Sequence, residues 1–263
     1  MDLGLKGRVV LVTGSTQGIG RAAARRFLAE GASVVINGRD EARVAKAVEE
    51  LSKESGGTVR GAAGDVGTVE GTKAVIDAVP DVDVLVNNAG IFEPKPFVDI
   101  PDEDWLAFFQ ANVMSGVRLS RHYFPRMMEK NWGRIIFISS ESAVQIPAEM
   151  IHYGTTKTAQ LAVARGLAEL TAGSNVTVNS VLPGPTRSEG VDGFIKSMAK
   201  QSGQSEAEME AAFFRTARPS SLLRRFATPD EVANMIVYVA SAVASATNGA
   251  AVRVDGGVVR SIT

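Results

Sequence analysis

Arg8-Val9-Val10-Leu11-Val12-Thr13-Gly14-Ser15-Thr16-Gln17-Gly18-Ile19-Gly20 runs from an unbroken apolar stretch into a glycine-rich turn. Residues 8–13 read as a strand buried on both faces. After Gly20 the apolar positions recur at helical spacing as far as Glu30, and Gly31 stops them. Small residues at such a turn let backbone amides approach a pyrophosphate, and the following helix points its positive end at the same place. An isolated glycine cluster is commonly an ordinary loop. Between a buried strand and a helix, in the first βα unit, it predicts a nucleotide site.

The alternation continues downstream. Strand-like runs at 32–37, 58–61, 82–87, 134–139, 176–181 and 250–254 are separated by helical segments at 41–55, 68–79, 102–130, 151–172 and 229–240. This order predicts an α/β doubly wound fold, a seven-stranded parallel sheet with helices on both faces. Ligands in such sheets bind beyond the carboxyl ends of the strands, where the strand order reverses. With 263 residues and no Pro/Ser-rich linker, the chain is expected to form a single domain over 1–263.

Composition removes several function classes. A formal net charge of −1 argues against a nucleic-acid partner. Without cysteine there is no disulfide, thiolate nucleophile or cysteine-held zinc. His122 and His152 lack metal-ligand spacing, so no metal is expected, and the acidic residues form no paired acid/base site. His152 precedes Tyr153 on its helix and so points roughly a hundred degrees away from it. The start of the chain lacks a signal-peptide core, and no apolar stretch is long enough to span a bilayer. The expectation is a soluble, cytoplasmic protein with no membrane contact.

Tyr153 and Lys157 stand four residues apart in Ile151-His152-Tyr153-Gly154-Thr155-Thr156-Lys157. That spacing puts both side chains on one helix face. A phenol titrates near pH 10, and a neighbouring ammonium is expected to pull that value toward the working range. A Tyr poised in this way can give or take the proton of an alcohol.

With both elements in view, the chain resembles the short-chain dehydrogenase/reductase family. The marks appear in family order: Thr13-Gly14 to Gly20, Asp65-Val66, Asn87-Asn88-Ala89-Gly90, Asn112, Ile138-Ser139-Ser140, Tyr153 with Lys157, Pro183-Gly184 with Thr186, and Asp255-Gly256-Gly257. The resemblance covers almost the whole chain and implies a Rossmann-fold oxidoreductase using NADP or NAD. It implies a catalytic set of Asn112, Ser140, Tyr153 and Lys157, in which Asn112 distorts its helix and holds a water bridging to Lys157. Ser139, one residue short of the family spacing, is expected to face away.

The cofactor wall implied by the resemblance comprises Gly14, Ser15, Thr16, Gln17, Gly18, Ile19 and Gly20, then Gly38 and Arg39, then Asp65 and Val66. Asn88, Ala89, Gly90, Pro183, Gly184 and Thr186 follow, with Tyr153 and Lys157 holding the nicotinamide ribose; Asn87 is expected to be structural. Asp65 either accepts from adenine, caps the following helix, or does both. At the end of the second strand, Gly38-Arg39 replaces the acidic residue that selects NAD. A guanidinium there can hold a 2′-phosphate, which favours NADP. Against that, Gln17 stands where many NADP-dependent relatives carry a base.

Residues 187–225 match the family's mobile substrate lid, inserted before the last helix and strand. Ser205-Glu206-Ala207-Glu208 reads as a capping box opening a helix over 206–216. Phe194, Met198, Met209, Phe213 and Phe214 are its candidate apolar contacts, with packing favoured over substrate contact. The general look is similar to 3-oxoacyl-carrier-protein reductases, yet Asn131 and Ser174 stand where those present carrier-docking bases. A free small-molecule ketone, alcohol or sugar is therefore expected, in a homotetramer by family habit. A non-catalytic NADP-sensing protein on the same scaffold is the reading from another class, and the intact catalytic set weighs against it.

Overall fold

The computed structural model describes residues 1–188, 191–193, 195–196, 199, 203 and 205–262. Strand β1 (Val9–Val12) leads into α1 (Gly18–Ala29), β2 (Ser33–Gly38), α2 (Glu41–Ser55), β3 (Val59–Ala63), α3 (Val69–Ala78) and β4 (Val84–Asn87). Helices α4 (Asp102–Phe109) and α5 (Ser115–Glu129) precede β5 (Gly133–Ile138), α6 (Ile151–Glu169) and β6 (Val176–Pro183). Then come α7 (Glu206–Thr216), α8 (Pro229–Ala240) and β7 (Ala251–Val254). The seven strands pair in the order β3-β2-β1-β4-β5-β6-β7, and every pairing is parallel.

Strand alternation builds two cores from one sheet. Val10 and Val12 of β1 join Val34, Ile36, Val84 and Val86 against α1, α2 and α8. Leu11 faces the other way, with Val35, Leu85, Ile135 and Phe137, toward α3, α5 and α6. Each such side chain contributes about 1.5–3 kcal/mol on burial. Helix ends follow local chemistry: Asp40 caps α2, Thr68 caps α3, and capping boxes Ser205/Glu208 and Thr228/Glu231 open α7 and α8. The reversal of strand order lies between β1 and β4, which places the glycine turn and Asn88-Ala89-Gly90 side by side.

The predicted helix over 102–130 is interrupted. Gln110–Met114 forms a π-helical turn between α4 and α5, with Asn112 fully buried at its centre. A π-bulge of this kind moves backbone groups out of helical register and often marks a functional position.

His152 is fully buried between α4 and α6, its ring 4.1 Å from that of Phe108 and 6.0 Å from that of Trp105. Neither ring nitrogen has a hydrogen-bond partner among the described residues. Burial pushes its pKa below the ordinary value, so the folded state holds a neutral imidazole. The unfolded chain takes up a proton as pH falls below about 6.5, and stability is lost from there down to the depressed folded value. We expect Tm to fall between about pH 7 and pH 5, and His152→Phe to flatten that fall. Parallel Tm-versus-pH curves for the two proteins would contradict this.

Candidate active site

A cavity of about 990 Å3 opens at the carboxyl ends of β1, β2, β4, β5 and β6. Gly14, at φ +60°, makes the turn that brings the chain off β1. Thr16, Gln17, Gly18 and Ile19 line the cavity. Gln17 supplies no side-chain cap to α1, and no acidic residue occupies its first turn. No side chain thus caps the first amides of α1, and the positive end of a helix favours an anion.

Two residues expected on this wall stand behind it. The Ser15 hydroxyl, fully buried, donates to Val12 O at 2.6 Å and accepts from Asn37 N at 3.0 Å. Gly20 packs so closely that a Cβ would lie 2.6 Å from Gly14 O. Both shape the turn. Asn88, rather than Asn87, carries the main tie to the neighbouring strand, donating to Thr13 O at 2.9 Å and Gly14 O at 3.0 Å.

At the end of β2, a Cβ on Gly38 would meet Thr16 Cγ2 at 2.8 Å, so an acidic side chain has no seat there. Arg39 is exposed on the cavity wall and makes no hydrogen bond or ion pair with another described residue. Arg43, which the sequence reading missed, also lines the wall and bonds the Gln17 side chain. Its signal was a second arginine at the start of α2, just beyond Arg39. Asp65 accepts from Gly67 N at 2.9 Å and lines the cavity, but Thr68, not Asp65, caps α3.

On the opposite wall Ser140, Tyr153 and Lys157 converge. The Ser139 hydroxyl donates to Lys157 O at 2.9 Å and so locks the end of β5 to α6. Lys157 is buried, and its Nζ donates to Ile138 O at 2.9 Å and to Gln160 Oε1 at 3.2 Å. Burial pushes its pKa down to about 8. Gln160 in turn donates from Nε2 to Asn112 O at 2.6 Å. A side-chain amide therefore links Asn112 O to Lys157 Nζ. Its orientation is unambiguous, because an ammonium only donates and a carbonyl only accepts. Asn112 is itself held by Ile91 N at 2.7 Å, Ile91 O at 3.0 Å and Thr156 Oγ1 at 2.9 Å; it sits behind the cavity wall.

The expected downward pull of Lys157 on Tyr153 is not found. Burial, followed by the Glu141 carboxylate, raises the phenol's pKa above its ordinary value; Ser140 and Arg218 pull the other way. Desolvation of the phenolate wins because Lys157 Nζ is directed at Ile138 and Gln160, 5.6 Å from the Tyr153 ring centroid.

Glu141 was not singled out in the sequence. It is 5% exposed, accepts from Ser140 Oγ at 2.6 Å and pairs with Arg218 Nε at 3.2 Å. Arg218, beyond α7, also bonds Glu149 at 2.9 Å. The segment around α7 has its own core of Ile195, Ala199, Met209, Phe214 and Phe226. Met209 and Phe213 line the cavity, whereas Phe214 turns into that core; Phe194 and Met198 lie outside the described residues.

The family model described as short chain dehydrogenase matches residues 8–199. The chain belongs to that family. Among curated relatives, "Uncharacterized oxidoreductase YvrD" of Bacillus subtilis (strain 168) is 51% identical, with both chains covered in full. The 3-oxoacyl-[acyl-carrier-protein] reductase FabG of Aquifex aeolicus (strain VF5) is 31% identical, over 98% of this chain and 99% of the relative. The L-sorbose reductase of Gluconobacter frateurii, solved with NADPH and L-sorbose, superposes with a TM-score of 0.95 at 33% identity, covering 100% of both chains. This short-chain dehydrogenase is accordingly an NAD(P)-dependent oxidoreductase. None of its described helices is long and apolar enough to cross a membrane.

Gln160→Leu removes both ends of the amide bridge and leaves a buried ammonium and a buried carbonyl short of partners. We expect it to cost about 2–4 kcal/mol of unfolding free energy in urea titrations. A loss under about 1 kcal/mol would mean that the bridge is incidental.

Proposed function

We propose that this short-chain dehydrogenase is an NADP-preferring oxidoreductase that interconverts a carbonyl and a secondary alcohol on a free, small, neutral molecule. The observation that carries this reading is that Ser140, Tyr153 and Lys157 share one cavity with the glycine turn and with two cavity-lining guanidiniums at the end of β2. Arg39 and Arg43 suit the 2′-phosphate of NADP, and the uncapped start of α1 suits its pyrophosphate. When bound, the nicotinamide supplies or accepts the hydride.

The chain's own residues do the rest. Tyr153 and Ser140 grip the substrate oxygen, Ser140 once its single hydroxyl hydrogen turns from Glu141 Oε2 to the substrate. Tyr153, kept protonated by burial and by Glu141, gives that oxygen its proton in the reductive direction. Lys157 holds the nicotinamide ribose, while Asn112 acts through Gln160 to position Lys157. Thr186 lines the cavity, with its hydroxyl donating to Gly184 O at 2.9 Å; its part is to meet the nicotinamide carboxamide. Residues 187–225 serve as the substrate cover of this one catalytic unit.

Two observations favour a free substrate over a carrier-bound one. Asn131 adopts φ +51°, and its Oδ1 accepts from Asn175 N at 3.0 Å. Ser174 donates to Thr171 O at 2.7 Å. Each completes a loop and offers no cation to an acidic carrier. The likeness to a reductase solved with NADPH and L-sorbose supports both the cofactor preference and a ketose-like substrate.

Tyr153→Phe is expected to lower turnover by about a hundredfold to ten-thousandfold with NADPH affinity near wild type. Turnover within about threefold of wild type would remove Tyr153 from the mechanism. Because the phenol's pKa is raised, alcohol oxidation by the wild type, which needs the phenolate, should keep climbing with pH beyond about 9, while reduction holds through neutral pH.

Arg39→Asp removes a phosphate partner and adds a repelling charge, so both effects act in one direction. The ratio of kcat/KM for NADPH over NADH is expected to fall at least about a hundredfold. A wild type that already prefers NADH would show that Gln17 was the better guide to the cofactor.

A further inference from the structure

Ser140, Tyr153 and Lys157 have roles in the proposed reaction, but the charged group beside them has none. Glu141 and Arg218 are 5% and 7% exposed, and both line the cavity with Glu149. The polar contacts run unbroken from Ser140 Oγ to Glu141 Oε2 at 2.6 Å, from Glu141 Oε1 to Arg218 Nε at 3.2 Å, and from Arg218 Nη1 to Glu149 Oε1 at 2.9 Å. Burying two charges, Glu141 and Arg218, in a pocket wall is costly, and a merely structural need there could be met by apolar packing.

A carboxylate has about four acceptor positions, and those of Glu141 are only partly used by Ser140 and Arg218. Arg218 donates from Nε and Nη1, and its Nη2 makes no hydrogen bond among the described residues. Next to the reacting centre the cavity therefore presents spare acceptors and a spare donor together. The formal charge of Glu141, Glu149 and Arg218 sums to one negative. A hydroxyl, which both donates and accepts, satisfies this set. A carboxylate of the substrate would meet Arg218 only under repulsion from two glutamates, and a methylene would leave every polar group unpaired.

Resting on the carbonyl-reductase reading above, we infer that Glu141, held by Arg218, is the specificity-determining residue of this enzyme. It accepts a hydrogen bond from a hydroxyl on the carbon next to the substrate carbonyl, so the substrate class is neutral α-hydroxy ketones, ketoses included, and not oxo acids or plain ketones. The position follows from the chain of contacts. A carbonyl oxygen held by Tyr153 and Ser140 lies beside the oxygen of an adjacent hydroxyl, and Ser140 is the direct neighbour of Glu141.

The test compares three ketones of one size, acetone, hydroxyacetone and pyruvate, by NADPH oxidation with the wild type, Glu141→Gln and Glu149→Gln. For the wild type, kcat/KM is expected to favour hydroxyacetone over acetone and over pyruvate by at least about tenfold each. Glu141→Gln removes the repelling charge beside Arg218, so the hydroxyacetone-to-pyruvate ratio should fall at least about tenfold. Glu149→Gln, at a side chain that is 47% exposed, should lower it less, and it keeps the test alive if Glu141→Gln does not fold. A wild type that reduces all three ketones equally, or prefers pyruvate, would overturn the inference and leave the carbonyl-reductase reading standing. A ratio unchanged in both variants would do the same. No oxidation of NADPH with any of the three would overturn the carbonyl-reductase reading itself.

Discussion

A buried ammonium organises this site. Lys157 Nζ is taken out of water on α6, and an isolated buried charge of that kind would be prohibitive without partners. Its partners come from the carbonyl at the end of β5, through Ile138, and from Gln160 one helical turn along. Gln160 passes the connection to Asn112 O on the π-turn, and Asn112 clamps the main chain at Ile91 beyond β4. Two strand ends and two helices are thereby pinned to one point. The distortion at Gln110–Met114 is explained by this demand, since an unbroken helix would not turn the Asn112 carbonyl toward Gln160.

With α6 pinned in this way, Tyr153, one turn before Lys157, projects into the cavity beside Ser140. The electrostatics of that corner favour a neutral phenol, because burial and Glu141 outweigh Ser140 and Arg218. Toward the end of β2 the cavity carries Arg39 and Arg43 together with the carboxylates Asp40 and Asp65; beyond Ser140 it carries Glu141, Glu149 and Arg218, with a negative balance. Guanidinium donors at one end suit a dinucleotide phosphate, and the negative balance at the other suits a neutral hydroxylated molecule.

What could be read from the sequence was what short-range geometry dictates. The strand–glycine–helix unit, the alternation of elements, the i,i+4 pairing of Tyr153 and Lys157, and the capping box at Ser205 all depend on neighbours within a few residues. The pairing of Glu141 with Arg218 could not be read, because it joins positions 77 apart through a segment whose path the sequence leaves open. Gln160 escaped notice for a different reason: a Gln at helical spacing from a Lys is ordinary, and only the π-turn brings Asn112 O within its reach. Ser15 and Gly20 shape the turn from behind, a distinction that motif spacing does not carry. The direction of the Tyr153 shift could not be read either, because proximity to Lys157 suggests attraction, while the fold directs Nζ elsewhere and desolvates the phenol.

The most direct measurement is a crystal structure of the complex with NADPH. The account predicts the 2′-phosphate within hydrogen-bond distance of Arg39 or Arg43, the pyrophosphate at the start of α1, and a nicotinamide-ribose hydroxyl bonded to Lys157 Nζ beside Tyr153. A complex in which Lys157 keeps only Ile138 and Gln160 as partners, with the nicotinamide away from Tyr153, would contradict it.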